Sequence, residues 1–89
     1  MNGVNFLDLS NNEYKILQAF IDKEIMPFEC TRINRHFNIS NIRYITEQVT
    51  GLNITSGLLA KLLRQRKIPA KDIRGRTHFA ISDDFFIDL

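Results

Sequence analysis

Eighty-nine residues, 44% of them hydrophobic, make one domain with a single small core, and exclude both a two-core protein and a disordered basic arm. The formal net charge of +2 hides segregation: residues 1–31 carry two Lys against five acids, residues 32–76 ten Lys or Arg against two, and residues 77–89 three Asp and no base. No run approaches the roughly 18 apolar residues of a membrane span, the N-terminus lacks the basic-then-apolar order of a signal peptide, and a lone Cys30 forbids an intrachain disulfide.

Helix one is expected from Ser10 to about Glu24. Ser10-Asn11-Asn12-Glu13 has the spacing of a capping box, with Leu9 and Tyr14 placed as a hydrophobic staple. Ile16, Leu17, Phe20 and Ile21 repeat as one apolar stripe, and Pro27 marks the end. A short second helix is expected to open at Cys30 or Thr31. It would turn Ile33 and Phe37 inward and Arg32 and Arg35 outward. Asn38-Ile39-Ser40-Asn41 is a turn cluster in which Ser40 or Asn41 caps a third helix over about 41–50. Ile42, Ile45 and Val49 form its apolar face, and Gly51 suits its left-handed stop.

Thr55 or Ser56 caps a fourth helix that runs to about Arg66. Leu58, Leu59, Leu62 and Leu63 make its buried face, and at 100° per residue Gly57, Ala60, Lys61 and Arg64 lie opposite. The period then changes. Phe79 and Ile81 alternate with His78 and Ala80, so Lys71–Arg74 and Thr77–Ser82 are expected to pair as a hairpin around a type II′ turn at Gly75-Arg76. The acidic, aromatic tail 83–89 needs an apolar surface for its side chains. It packs on helix one or continues the last strand; the alternatives are a homodimer contact and docking to another protein. The fold class is mainly α with a C-terminal β-hairpin, in one domain whose core covers about 10–82.

A basic field in the middle of the chain attracts a polyanion, and nucleic acid is the first candidate partner. In order and lengths the elements resemble the winged helix-turn-helix family of DNA-binding domains, over roughly residues 10–82. The likeness rests on Ile42–Gly51, the turn Gly51-Leu52-Asn53-Ile54, the helix Thr55–Arg66 and the hairpin around Gly75. A Thr-Ser-capped helix before a basic hairpin also resembles the C-terminal winged domains of phage-type primases. The resemblance implies a three- to four-helix core plus a wing, with helix 55–66 reading the major groove of double-stranded DNA. Gly57 and Ala60 would permit close approach, Thr55 and Ser56 would hydrogen-bond bases or phosphate, and Lys61 and Arg64 would reach bases or phosphates. Arg74 and Arg76 at the hairpin tip would reach phosphates or a minor groove. Lys67 and Lys71 would belong to either patch, and Arg43 flanks them.

His36 is expected to pack at a helix edge, and His78 to lie on the hairpin, where contact with DNA is the minor alternative; one Cys and two scattered His lack metal-ligand spacing. No phosphate-cradling glycine loop, activated nucleophile or paired-carboxylate arrangement is apparent, so no enzyme, cofactor or small-molecule ligand is expected. The expected function is a small transcriptional regulator, or an accessory factor of a phage or plasmid, that acts by occupying DNA in the cytoplasm at the nucleoid. The frequent Ile and Asn fit an AT-rich genome of that kind. The competing readings are a protein-interaction module, such as a phage-encoded inhibitor of a host protein, and a DNA-binding module of a replication complex.

Overall fold

The computed structural model describes residues 9–87. Its first element is α1 (Asn11–Phe20), opened by the expected capping box. The Ser10 hydroxyl accepts from the Glu13 amide at 3.1 Å and the Glu13 carboxylate accepts from the Ser10 amide at 2.9 Å. Leu9 and Tyr14 are half-buried against the core. Helical turns run past Glu24. Residues Ile21–Ile25 form a widened π-type turn and Met26–Phe28 a 3-10 turn. In a continued α-helix the Pro27 ring would meet the carbonyl of Lys23. Ile21 and Ile25 are both buried. Ile16, expected in the apolar stripe, is exposed.

No helix forms over 31–37. The segment is organised instead by Asn34, which is 9% exposed and uses every hydrogen-bonding atom it has. Its side-chain oxygen accepts from the amides of His36 (2.9 Å) and Phe37 (3.0 Å). Its side-chain nitrogen donates to the Ile81 carbonyl (2.8 Å) and the Asp83 carboxylate (2.7 Å). Its own amide donates to the Phe79 carbonyl at 2.9 Å, and its carbonyl accepts from His78 Nδ1 at 2.7 Å. An Asn whose side chain bonds the backbone two and three residues on offers the chain an alternative to a helical turn. Arg32 and Arg35 are exposed as expected; Ile33 packs against the core as a half-buried side chain, and Phe37 is half-buried, stacked on Phe86.

The next helix, α2 (Ile39–Thr50), starts two residues early because its cap is Asn38. Asn38 Oδ1 accepts from the Ser40 amide at 2.8 Å, and Asn41 supplies the return bond to the Asn38 amide at 2.9 Å. Thus Asn41 takes part in the capping box but is not its first residue. Ile42 and Thr46 are buried while Val49, expected on the apolar face, is exposed. Gly51 closes the helix at φ +76°, as expected of a left-handed stop.

Helix α3 (Ser56–Gln65) is capped by Thr55, whose hydroxyl accepts from the Leu58 amide at 3.0 Å. Leu58, Leu59, Leu62 and Leu63 are buried as expected. Ala60 is buried too, at 6% exposure, and does not belong to the open face. Strands β1 (Ala70–Ile73) and β2 (Arg76–Phe79) pair antiparallel, with Ile73 opposite Arg76. The turn is therefore Arg74-Gly75, and φ is positive at both, +52° and +81°. That is the type I′ pattern, not the II′ turn expected one residue later, and its twist matches that of the flanking strands.

Beyond β2, Ala80 and Ile81 run beside residues 28–30. The Cys30 amide donates to the Ala80 carbonyl at 2.9 Å, the Ser82 amide donates to the Phe28 carbonyl at 2.8 Å, and Glu29 and Ile81 form an antiparallel bridge. The hairpin is thereby tied to the body of the molecule. The single turn α4 (Asp84–Ile87) follows. Phe85 meets Phe28 with ring centroids 5.8 Å apart, and Phe86 stacks on Phe37 at 4.1 Å. The tail thus packs on the 28–37 segment, with Phe85 in the core cluster that also holds Leu17, Phe20, Ile21 and Ile25 of the first helical stretch, and does not extend β2. Ile87 is left 72% exposed; Asp88 and Leu89 of the expected tail lie outside the described residues. The molecule is mainly helical with a C-terminal two-stranded hairpin, and no helix among the described residues is long and apolar enough to cross a membrane.

Candidate nucleic-acid interface

The connection from α2 to α3 is built on Glu47. One carboxylate oxygen accepts from Arg43 Nη1 at 2.9 Å and the other from the Ile54 amide at 3.0 Å. Arg43 Nε in turn donates to the Ser56 hydroxyl at 3.2 Å. Thr50 accepts from the Leu52 amide at 3.1 Å and donates to the Thr46 carbonyl at 2.7 Å. With Leu52 and Ile54 both buried, the turn is fixed by apolar anchors and by a carboxylate that bridges the two helices.

Arg43, Thr55 and Ser56 are therefore engaged within the fold. Thr55 and Ser56 each use their oxygen as an acceptor, which leaves the hydroxyl proton of each for an external acceptor. Gly57, Lys61 and Arg64 share the exposed face of α3. A Cβ placed on Gly57 would meet only the Thr55 hydroxyl, at 3.9 Å, so packing within the chain does not require glycine there. The Arg64 guanidinium lies 6.0 Å above the centroid of the buried Phe79 ring, which links the open face of α3 to the hairpin.

Arg66 belongs to the basic stretch in sequence but turns inward. Its Nε donates to Asp22 at 2.7 Å, Nη1 to the Leu62 carbonyl at 3.3 Å, and Nη2 to Gln18. The hydrogen bond from Arg66, with its charge, holds the Asp22 carboxyl below the usual carboxylate value against a weaker desolvation effect. Arg66 is a staple between α3 and α1, and nothing in its sequence spacing separates it from the exposed Arg64.

The backbone at the end of α3 is unusual. The Ile68 amide donates to the Leu63 carbonyl at 3.4 Å and the Lys67 amide to the Arg64 carbonyl at 2.9 Å, the pair of bonds of a Schellman stop. The position that normally holds glycine in that motif is Lys67, at φ +64°. Arg74 at the hairpin tip is the other non-glycine residue with positive φ among the described residues, and it too is a cation.

Strand alternation divides the hairpin. Ala70, Asp72, Thr77 and Phe79 share the face toward α3, where Thr77 donates to Asp72 at 2.9 Å. Lys71, Ile73, Arg76 and His78 share the other. His78, expected on the hairpin as a possible DNA contact, is 7% exposed and is held through Nδ1 by Asn34. His36 is exposed, 3.4 Å from the Asp83 carboxylate, and has no helix edge to pack on. Cys30 is half-buried. Among the described residues, no cluster of His, Cys, Asp and Glu has the arrangement of a metal site.

The structure thus brings Gly57, Lys61 and Arg64 onto one helix face, sets Lys67 at the end of that helix, and places the exposed Lys71, Arg74 and Arg76 on the hairpin that follows. Sequence reasoning missed two participants in this architecture, Asn34 and Glu47. The partners that define Asn34 are distant or on the backbone; for Glu47 the i,i+4 spacing to Arg43 is a readable signal, whereas its bond to the Ile54 amide is not. Comparison with family models, with curated proteins and with solved structures gives no match to this chain.

Proposed function

We propose that this chain is a small winged helix-turn-helix protein that binds double-stranded DNA and acts by occupying it, as a transcriptional regulator or an accessory factor of a mobile element. In this reading α2 and α3 are the helix-turn-helix. The N-terminal turn of α3 enters the major groove, where Gly57 allows close approach and Lys61 and Arg64 reach base edges or flanking phosphates. The β1–β2 hairpin is the wing, and its attachment to residues 28–34 makes it a rigid arm.

The observation that carries the reading is the identity of the two strained residues. A left-handed backbone costs a side-chain-bearing residue roughly 1–2 kcal/mol, and among the described residues both positions that bear that cost hold a cation, Lys67 and Arg74. Glycine or asparagine would fold more easily at either place. Keeping charge where folding disfavours it is what selection for an anionic partner would leave behind.

The test is selection of bound duplexes from a random pool at fixed salt, followed by a salt titration on the enriched sequence. Four to six phosphate contacts predict that log affinity falls against log salt with a slope of about −4 to −5. Lys61→Ala and Arg64→Ala are expected to lower affinity and relax sequence preference, by about 1–3 kcal/mol for a bidentate base contact. A flat slope, or no duplex binding at low salt, removes the DNA reading.

A further inference from the structure

The face of the hairpin turned away from α3 does not lie on bare solvent. Between it and the loop ahead of α2 is an open cleft of about 440 Å³, whose lining includes Arg35, His36, Asn38, Arg74, Arg76 and His78. No hydrogen bond or ion pair within the described residues engages the guanidinium of Arg35, Arg74 or Arg76. Asn38 spends its side-chain oxygen on the helix cap, so what it offers the cleft is its NH2 group. His78 gives Nδ1–H to the Asn34 carbonyl, which leaves Nε2 as its other polar atom. No buried side-chain nitrogen or oxygen among the described residues lacks a partner, so Nε2 reaches the surface. The Asp83 carboxylate, which sits beside His36, accepts from Asn34, and Asp72 on β1 accepts from Thr77 on the opposite face of the hairpin.

We propose that this cleft is a phosphate-binding site, and that it holds a phosphate of the same nucleic acid that α3 engages. The inference rests on the DNA reading for the source of the phosphate, but not for the chemistry of the site. Three arginines from two separate elements line the cleft. Guanidinium presents paired donors that match phosphate oxygens. Arg35 approaches from the loop before α2, and Arg74 and Arg76 from the hairpin. A strand seated there would be gripped on the side of the hairpin opposite Arg64, so that the hairpin is flanked by nucleic-acid contacts on both faces. The left-handed strain at Arg74 has a use here, since it sets that guanidinium at the tip, beside the cleft.

Arg35 is the residue that isolates the site, because it is exposed and lies outside both α3 and the hairpin. The labelled protein is titrated with inorganic phosphate, with chloride at matched ionic strength as control, and followed by NMR. Saturable shifts are expected at residues 35–38 and 73–78 but not on the exposed face of α3. Arg35→Ala is expected to weaken phosphate binding about tenfold, the loss of a charge-assisted hydrogen bond. It should also reduce the salt slope of duplex binding by about 1. Absence of a saturable shift, shifts of equal size on α3, or displacement of phosphate by polyglutamate as readily as by oligonucleotide would overturn the proposal. An affinity gain on 5′-phosphorylation of the duplex assigns the cleft to a strand end, and equal binding assigns it to a phosphodiester within the strand; both outcomes retain the site. If Lys61→Ala and Arg64→Ala leave duplex binding untouched while Arg35→Ala still weakens phosphate binding, the α3 reading fails and the cleft stands.

Discussion

At the scale of single residues, Asn34 is where the fold is most exposed to loss. Replacement by alanine strips partners from the His36 and Phe37 amides and the Ile81 carbonyl at once. Each polar group left buried without a partner costs about 1–3 kcal/mol, so Asn34→Ala should destabilise more than Ser10→Ala, whose lost cap costs about 1 kcal/mol. Chemical denaturation of the two variants checks the order, and the reverse order would show that water replaces the Asn34 side chain without cost. Asp22 gives a second residue-level expectation. Its folded pKa is held below the unfolded value by Arg66, so its contribution is present above the unfolded carboxylate pKa and disappears as pH falls through the folded one. Asp22→Asn should therefore be less stable than the parent at neutral pH, with the two curves converging in acid. Parallel curves down to the lowest pH would mean that the Arg66 contact is not maintained in solution.

At the scale of elements, the legible parts are those fixed by neighbours in sequence. The capping box of α1, the Thr55 cap, the leucine face of α3 and the Gly51 stop all depend on residues within one or two turns, and all stand as the pattern implies. What could not be read depends on partners far along the chain. The segment 31–37 has helical spacing, yet Asn34 bonds to Ile81, 47 residues away, and that contact displaces the helix. The hairpin was legible from Gly75 but not its turn type, because two successive left-handed residues place an arginine where Asn or Gly is usual. Helical geometry put Ala60 on the open side of α3; its short side chain is covered by what packs beside the helix. The candidate site divides in the same way: the exposure of Lys61, Arg64, Lys67, Lys71, Arg74 and Arg76 follows from helix period and hairpin position. The internal engagement of Arg66 follows from tertiary partners, and that of Arg43 from Ser56 on the next helix together with Glu47 one turn along its own. One consequence is a pair of opposed effects in α3. Leu62→Ala opens a cavity in the core and should cost about 2–5 kcal/mol. Gly57→Ala makes only an ordinary contact with the Thr55 hydroxyl at 3.9 Å and should stabilise by up to about 1 kcal/mol, while weakening duplex binding through the added methyl. Thermal melts and binding measured on the same two proteins decide this, and a stabilised Gly57→Ala with unchanged affinity would move the duplex off that turn.

At the scale of the whole molecule, the tail decides whether the domain is self-sufficient. Phe85 is 1% exposed and packs on Phe28, and Phe86 stacks on Phe37. These contacts secure the segment 28–37, and that segment in turn holds the hairpin through Cys30, Asn34 and Ile81. Removal of Phe85–Leu89 should therefore act at a distance, loosening the hairpin although no basic residue is touched. Loss of a buried Phe costs about 3–5 kcal/mol, a large fraction of the roughly 4–13 kcal/mol available to a domain of this size. The truncated chain is expected to melt far below the parent, keep the same mass by sedimentation, and, below its melting point, bind duplex with the parent's salt slope. The exposed Ile87 offers a different route, in which the tail bridges two copies. In that case truncation halves the mass and weakens binding to a two-half-site duplex far more than to a single half-site, since the second copy no longer arrives tethered. A halved mass with unchanged melting would overturn the self-packed tail, and would make the symmetric spacing of two α3 helices the feature that sets the target.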